Sequence, residues 1–281
     1  MFTQAYRPHE LHFAYCYRVY FRWQTFRKLS CPPLTQLTAE LLNDLVRTYG
    51  IEVLECTTSK SELITMVSLQ PQETISACVG KLKGRVSKWL NEKLGSTEPL
   101  QLLSRGYFAC TVGKSRRETV EEYLDKQGQH HNYDKRQLPP IFVEHYDLSA
   151  SDEARLIVQH ACVVSLFHIV LATWKRRGVF GSQEGRAIAA ELRRWQEQMR
   201  IAIIKVSFVP DHVHLAIRLH PTVSPAEVVA ALMNAAQDIV QDLLVREGLE
   251  RLWERSAYVG SYGDLASPQI REYIRSPFED D

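Results

Sequence analysis

The sequence predicts an α+β protein of two tandem modules with antiparallel-leaning sheets, lying side by side or merged into one pseudo-two-fold unit. Three observations carry this. The second half of the chain repeats the first at a spacing of 150 residues. Strand-like and helix-like runs follow the same order in both halves. A polar connector containing Pro139-Pro140 separates them.

The repeat is read from apolar pattern, turns and aromatics. SRGYFACTVG (104–113) falls on ERSAYVGSYG (254–263), and ETVEEYLDKQ (118–127) on PQIREYIRSP (268–277). GIEVLECTTSKSELITMVSLQP (50–71) falls on RIAIIKVSFVPDHVHLAIRLHP (200–221). Nearer the start, YRVYFRW (17–23) matches HIVLATW (168–174) at a shift of 151. The expected division is module 1 at 1–127, a linker at 128–155 running over the surface, and module 2 at 156–281.

Each module opens with an aromatic and β-branched strand (11–23; 161–173). Apolar residues at three- and four-residue spacings predict a helix next (35–49; 184–199). Two strands follow (51–57 and 62–69; 201–208 and 212–219), joined by turns at Ser59-Lys60 and Pro210-Asp211. A second helix (73–93; 224–246) opens in a capping context after Pro and Thr or Ser. A short strand (106–112; 256–262) and a last helix starting near Ser115 or Ser267 close each module.

Bulk composition bounds the class. With 281 residues, 45% hydrophobic and 24% charged, the chain matches ordinary globular proteins. It has no apolar run of membrane-spanning length and no signal-like start. The six cysteines, at 16, 31, 56, 78, 110 and 162, form no CxxC pair. A reducing, cytoplasmic setting is expected. A net charge of +1 neither demands nor excludes a nucleic-acid partner.

Chemistry concentrates at His212-Val213-His214 in FVPDHVHLAIRL. Side chains alternate along a strand, so both imidazoles share a face while Val213 points to the core. Two imidazoles on one face make half of a metal site; the alternative is two polar residues on a wet strand face. Asp211 is read as a turn residue.

HVH after Pro-Asp, LKG on a following helix, then SRGYFACTVG and YLDKQ together resemble the single-tyrosine HUH transposases of bacterial insertion sequences and their REP-associated relatives. The resemblance covers both halves and implies ferredoxin-like HUH modules. It further implies that two histidines and a glutamine hold Mg²⁺ or Mn²⁺ against a scissile phosphate of single-stranded, hairpin-bearing DNA. A tyrosine would attack to form a 5′-phosphotyrosine. Tyrosine and glutamine four residues apart share one helix face.

The halves depart from that pattern in complementary ways. Module 2 has His212 and His214, where module 1 has Glu62 and Ile64. Module 1 has Tyr123 and Gln127, where module 2 has Tyr273 and Pro277. Proline offers no side-chain ligand and breaks helices. The expectation is a fused pseudo-dimer, acting as a monomer, with one composite site: Tyr123 as nucleophile, and His212, His214 and Gln127 as metal ligands. Tyr273 acting in cis is the alternative nucleophile.

Basic residues mark the expected DNA surface. They are Lys81, Lys83, Arg85 and Lys88 on the second helix, Arg105, Lys114, Arg116 and Arg117 around the aromatic strand, and Lys175, Arg176 and Arg177. Trp23, Trp89, Trp174 and Tyr107 are candidates to stack on unpaired bases, with Trp23 and Trp174 equally placed to be core. The expected function is a metal-dependent single-stranded DNA endonuclease and strand transferase acting at hairpins. The alternative is a catalytically silent, domesticated binder of hairpin DNA or RNA.

Overall fold

In each half a βαββαβ chain path builds a sheet with helices on one face, but the outermost strand comes from the other half. The computed structural model describes residues 5–127 and 142–264. The first half contains β1 (His12–Cys16), β2 (Arg18–Gln24), α1 (Ala39–Val46), β3 (Glu52–Thr58), β4 (Glu62–Ser68), α2 (Ile75–Lys93), β5 (Tyr107–Val112) and α3 (Arg117–Asp125). There follow β6 (Phe142–His145), α4 (Ala150–Leu156), β7 (Ala161–Val164), β8 (Leu166–Thr173), α5 (Ser182–Met199), β9 (Ile201–Val209), β10 (His212–Leu219), α6 (Pro225–Ile239), α7 (Gln241–Arg246) and β11 (Trp253–Tyr262).

The five-stranded sheet has the order β3-β4-β2-β5-β7, and the six-stranded sheet β1-β11-β8-β10-β9-β6. Without the outer strands, both are the ferredoxin-like arrangement. The expected single opening strand is two strands in each half. β1 leaves its own module and pairs in parallel with β11, while β7 pairs in parallel with β5. Both sheets are therefore mixed rather than purely antiparallel.

The exchange corrects the repeat register. Trp23 pairs with Leu63 and Leu171 with Val213, so β2 and β8 correspond at a spacing of 148, not 151. The turns after these strands agree: Arg27 and Lys28, like Lys175 and Arg176, have positive φ. Trp23 and Trp174, alike in sequence, therefore do not occupy corresponding positions.

Local chemistry explains the helix boundaries. Thr38 and Thr74 cap α1 and α2 by accepting backbone N–H bonds, and Ser224 with Glu227 forms a capping box at α6 behind Pro225. The helix expected over 35–49 is shorter. Pro32–Gln36 and Arg47–Tyr49 are 3₁₀ turns on either side of α1, and Gly50 closes it at φ 68°. The helix expected over 224–246 breaks at Val240 (φ −102°, ψ 21°). The described part of the expected linker is structured: β6 pairs with β9, and Ser149–Asp152 caps α4. Phe142 packs 6.2 Å from Phe208, an anchor too short to show as a strand pattern.

Alternation along the strands separates two faces. Leu171, Val206, Phe208, Val213 and Leu215 face α5 and α6, in a core continuous with Leu82, Trp23 and Trp89 of the first half. The opposite face of the six-stranded sheet packs against α3 through Leu166, Ile204, Ala216, Tyr262 and Leu124. A helix of the first half thus lies on the sheet of the second.

The halves are locked by two hydroxyls in corresponding positions. Thr111 donates to Tyr262 O (2.7 Å) and accepts from Leu166 N–H (2.8 Å). Ser261 donates to Val112 O (2.6 Å) and accepts from Arg18 N–H (2.8 Å). Among the described residues, no helix is long and apolar enough to cross a membrane.

Candidate active site

His212 and His214 project from β10 onto the α3 face, opposite Val213. Their ring centroids are 4.8 Å apart and both side chains are buried. Each ring is held through Nδ1. The Asp211 carboxylate lies 2.7 Å from His212 Nδ1, and Arg176 lies 3.4 Å from the other carboxylate oxygen. His214 Nδ1 lies 3.0 Å from His168 Nε2, with the two imidazoles stacked 5.2 Å apart. Asp211 is therefore more than a turn residue: it orients an imidazole.

Burial pushes His168 down to about 4, so it is neutral at neutral pH. A neutral His168 can accept the Nδ1–H of His214, which fixes the His214 tautomer with Nε2 as its basic nitrogen. Sequence reasoning missed His168. A lone histidine in HIVLATW carries no spacing signal, and only strand register brings it to His214.

Tyr123, from α3, comes to the same place. Its ring centroid lies 5.6 Å from that of His214 and 6.1 Å from that of His168, edge-on to both. Gln127 follows one turn later, fully buried, and its amide donates to the Tyr123 carbonyl at 2.9 Å. Tyr273 and Pro277 lie outside the described residues.

The donor set suits a divalent ion that accepts nitrogen ligands. Two imidazoles locked through Nδ1 present Nε2 as the ligating atom, and such nitrogen donors suit Mn²⁺ better than the oxygen-seeking Mg²⁺. Among the described residues no three His, Cys, Asp or Glu side chains converge on a metal position. Further ligands would have to be the Gln127 amide oxygen, a phosphate oxygen or water.

In the first half, the positions of His168, His212 and His214 are taken by Tyr20, Glu62 and Ile64. Tyr20 and Ile64 pack with Met66 and Val112. Glu62 forms a two-pronged ion pair with Arg22, at 2.5 and 3.0 Å. Apolar packing and an ion pair occupy the place of an imidazole pair.

The predicted basic surface divides. Lys83 donates to the carbonyls of Ser104, Arg105 and Gly106 at 2.7–3.1 Å, tying down the loop before β5. Lys81 pairs with Glu73, Lys88 with Glu92 (3.9 Å) and Arg117 with Glu121 (2.8 Å), and Arg85 donates to the Tyr49 hydroxyl. Lys175 lies over the Trp174 ring, and Arg105, Lys114, Arg116 and Arg177 have exposed side chains. Trp23 and Trp89 are buried in the core and Tyr107 is half-buried, so the two tryptophans do not offer faces to bases.

Comparison with known proteins agrees with the twofold architecture. The family model described as "Transposase IS200 like" matches residues 12–127 and again residues 162–277. The chain belongs to the IS200-like transposase family. It carries the family's domain twice in tandem. Among solved structures, a protein from Deinococcus radiodurans R1 assigned as a transposase is 19% identical. That match covers 39% of this chain and 89% of the other, with a TM-score of 0.28. A mutant chlorite dismutase from Candidatus Nitrospira defluvii is 11% identical over 91% of this chain and 95% of its own, with a TM-score of 0.23. At these scores neither likeness adds to the family assignment. No curated protein matches.

Proposed function

We propose that this transposase-family chain is a metal-dependent single-stranded DNA endonuclease and strand transferase with one composite active site, acting beside DNA hairpins. The observation that carries the reading is the 5.6 Å separation of the Tyr123 and His214 rings, which come from different halves. The complementary occupation of the first half's equivalent positions by Tyr20, Glu62 and Ile64 supports a single site.

His212, His214 and the Gln127 amide would hold Mn²⁺ or Mg²⁺, which would polarise the scissile phosphoryl oxygens and offset charge developing in the displacement. Asp211 and His168 orient the two imidazoles. The Tyr123 hydroxyl oxygen attacks phosphorus, its proton passing to water. A Tyr–O–P bond forms at the 5′-phosphate of the downstream strand, the P–O3′ bond breaks, and the upstream strand leaves as a 3′-OH after its oxygen takes a proton from water. Because the phosphodiester energy stays in the tyrosyl ester, a 3′-OH can reverse the step without ATP. Arg105, Lys114, Arg116 and Arg177 supply cationic contacts to the DNA backbone. One site per chain suits a single nick or transfer, performed by a monomer whose exchanged strands already use the dimer-like interface.

The test is incubation with labelled single-stranded hairpin DNA and Mn²⁺, followed by denaturing electrophoresis. A covalent adduct is expected from the wild type, and Tyr123→Phe should lower its yield at least a thousandfold. Tight binding with no adduct would favour a silent binder. An adduct that only Tyr273→Phe removes would move the nucleophile to the second half.

A further inference from the structure

Lys205 on β9 is 5% exposed, yet its ammonium does not face the helical core. It donates to the Glu121 carbonyl at 3.0 Å and pairs with Asp125 at 2.9 Å. Glu121 is the middle residue and Asp125 the last residue of α3, the helix that carries Tyr123. His145, the register partner of Lys205 on β6, approaches the other Asp125 oxygen at 3.2 Å. A cation there also meets the negative end of the helix dipole.

The repeat reverses the charge of both members of the Lys205–Asp125 pair. Lys205 pairs with Ala216 as Glu55 pairs with Met66, so Glu55 is its counterpart in the first half. At the 150-residue spacing, Glu121 and Asp125 fall on Arg271 and Arg275, which lie outside the described residues. The described contact joins a lysine to an acidic tyrosine helix, and in sequence the repeat counterparts of Lys205 and Asp125 both carry the opposite sign. The Glu121 contact is a main-chain carbonyl that any residue supplies, so the crossed combination would change the Asp125 contact, setting Lys205 against an arginine, a like-charge contact at a buried position.

We infer that Lys205 is a positioning residue that selects which tyrosine segment serves the His212/His214 face, retaining the acidic Tyr123 helix and rejecting the basic Tyr273 segment. The inference rests on the composite-site reading for its catalytic consequence but not for the docking itself.

Two measurements on the full chain keep these apart. Hydrogen–deuterium exchange over 117–127, without DNA or metal, reads docking of α3. Mapping the adduct to Tyr123 or Tyr273 by peptide mass spectrometry reads selection. Asp125→Lys, at a partly exposed position, should speed exchange at least tenfold and cut the Tyr123 adduct at least tenfold. Lys205→Asp combined with Asp125→Lys should restore both to within about threefold. Unchanged exchange in Asp125→Lys would overturn the inference, as would failure of a charge-swapped pair that keeps the wild-type melting profile. If the wild type forms no adduct but Asp125→Lys still loosens α3, the docking role stands and the composite-site reading fails.

Discussion

His168 shows what a single side chain contributes here. It sits 3.0 Å from His214 Nδ1 and acts through that imidazole rather than as a ligand itself. Outer-shell partners of metal-binding histidines typically change metal affinity ten- to a hundredfold when removed. His168→Leu should therefore weaken Mn²⁺ binding to the hairpin-DNA complex by about tenfold or more, read by electron paramagnetic resonance titration. His168→Gln, which keeps an acceptor, should recover part of that loss; equal, small effects of both would deny the role. His212 and His214 were legible because a two-residue spacing on a strand itself encodes a shared face. His168 was not, since its meaning depends on β8 lying beside β10, and neither was Asp211, whose carboxylate could as well have closed a turn.

Among the elements, the ends of β5 and β11 join the halves. Gly113 comes so close to Ser261 that an added Cβ would lie 2.2 Å from its carbonyl oxygen. Backbone leaves no room to yield, so Gly113→Ala should destabilise by about 2–3 kcal/mol, checked by urea unfolding. Ser261→Ala strips a buried hydroxyl from its acceptor Val112 O and from the Arg18 N–H, and should cost about 1–3 kcal/mol in the same assay. The sequence showed the paired strands and their glycines. It did not show that both opening strands break at Tyr17 and Ser165, because each reads as one continuous β-prone run. The aromatic-led register of 151 concealed the same break.

Across the whole molecule, each half completes its partner's sheet, and the first half's helix α3 covers apolar residues on the second half's sheet. Segments 1–127 and 156–281 expressed alone should therefore aggregate or stay unfolded, and co-expression should recover a soluble complex. Circular dichroism of each segment checks this, and a cooperatively folded 156–281 would contradict it. Sedimentation of the intact chain should give a monomer. The sequence by itself determined the duplication, the βαββαβ order, the histidine pair and the loss of that pair from the first half, because these are encoded in local periodicity and residue type. Only the tertiary structure decided that Tyr123 meets His214, that His168 stands beside them, that Lys205 holds the helix carrying Tyr123, and that Lys83 secures a loop. Those are contacts between residues from 21 to 91 positions apart, set by strand register, strand exchange and loop packing, which no local pattern records.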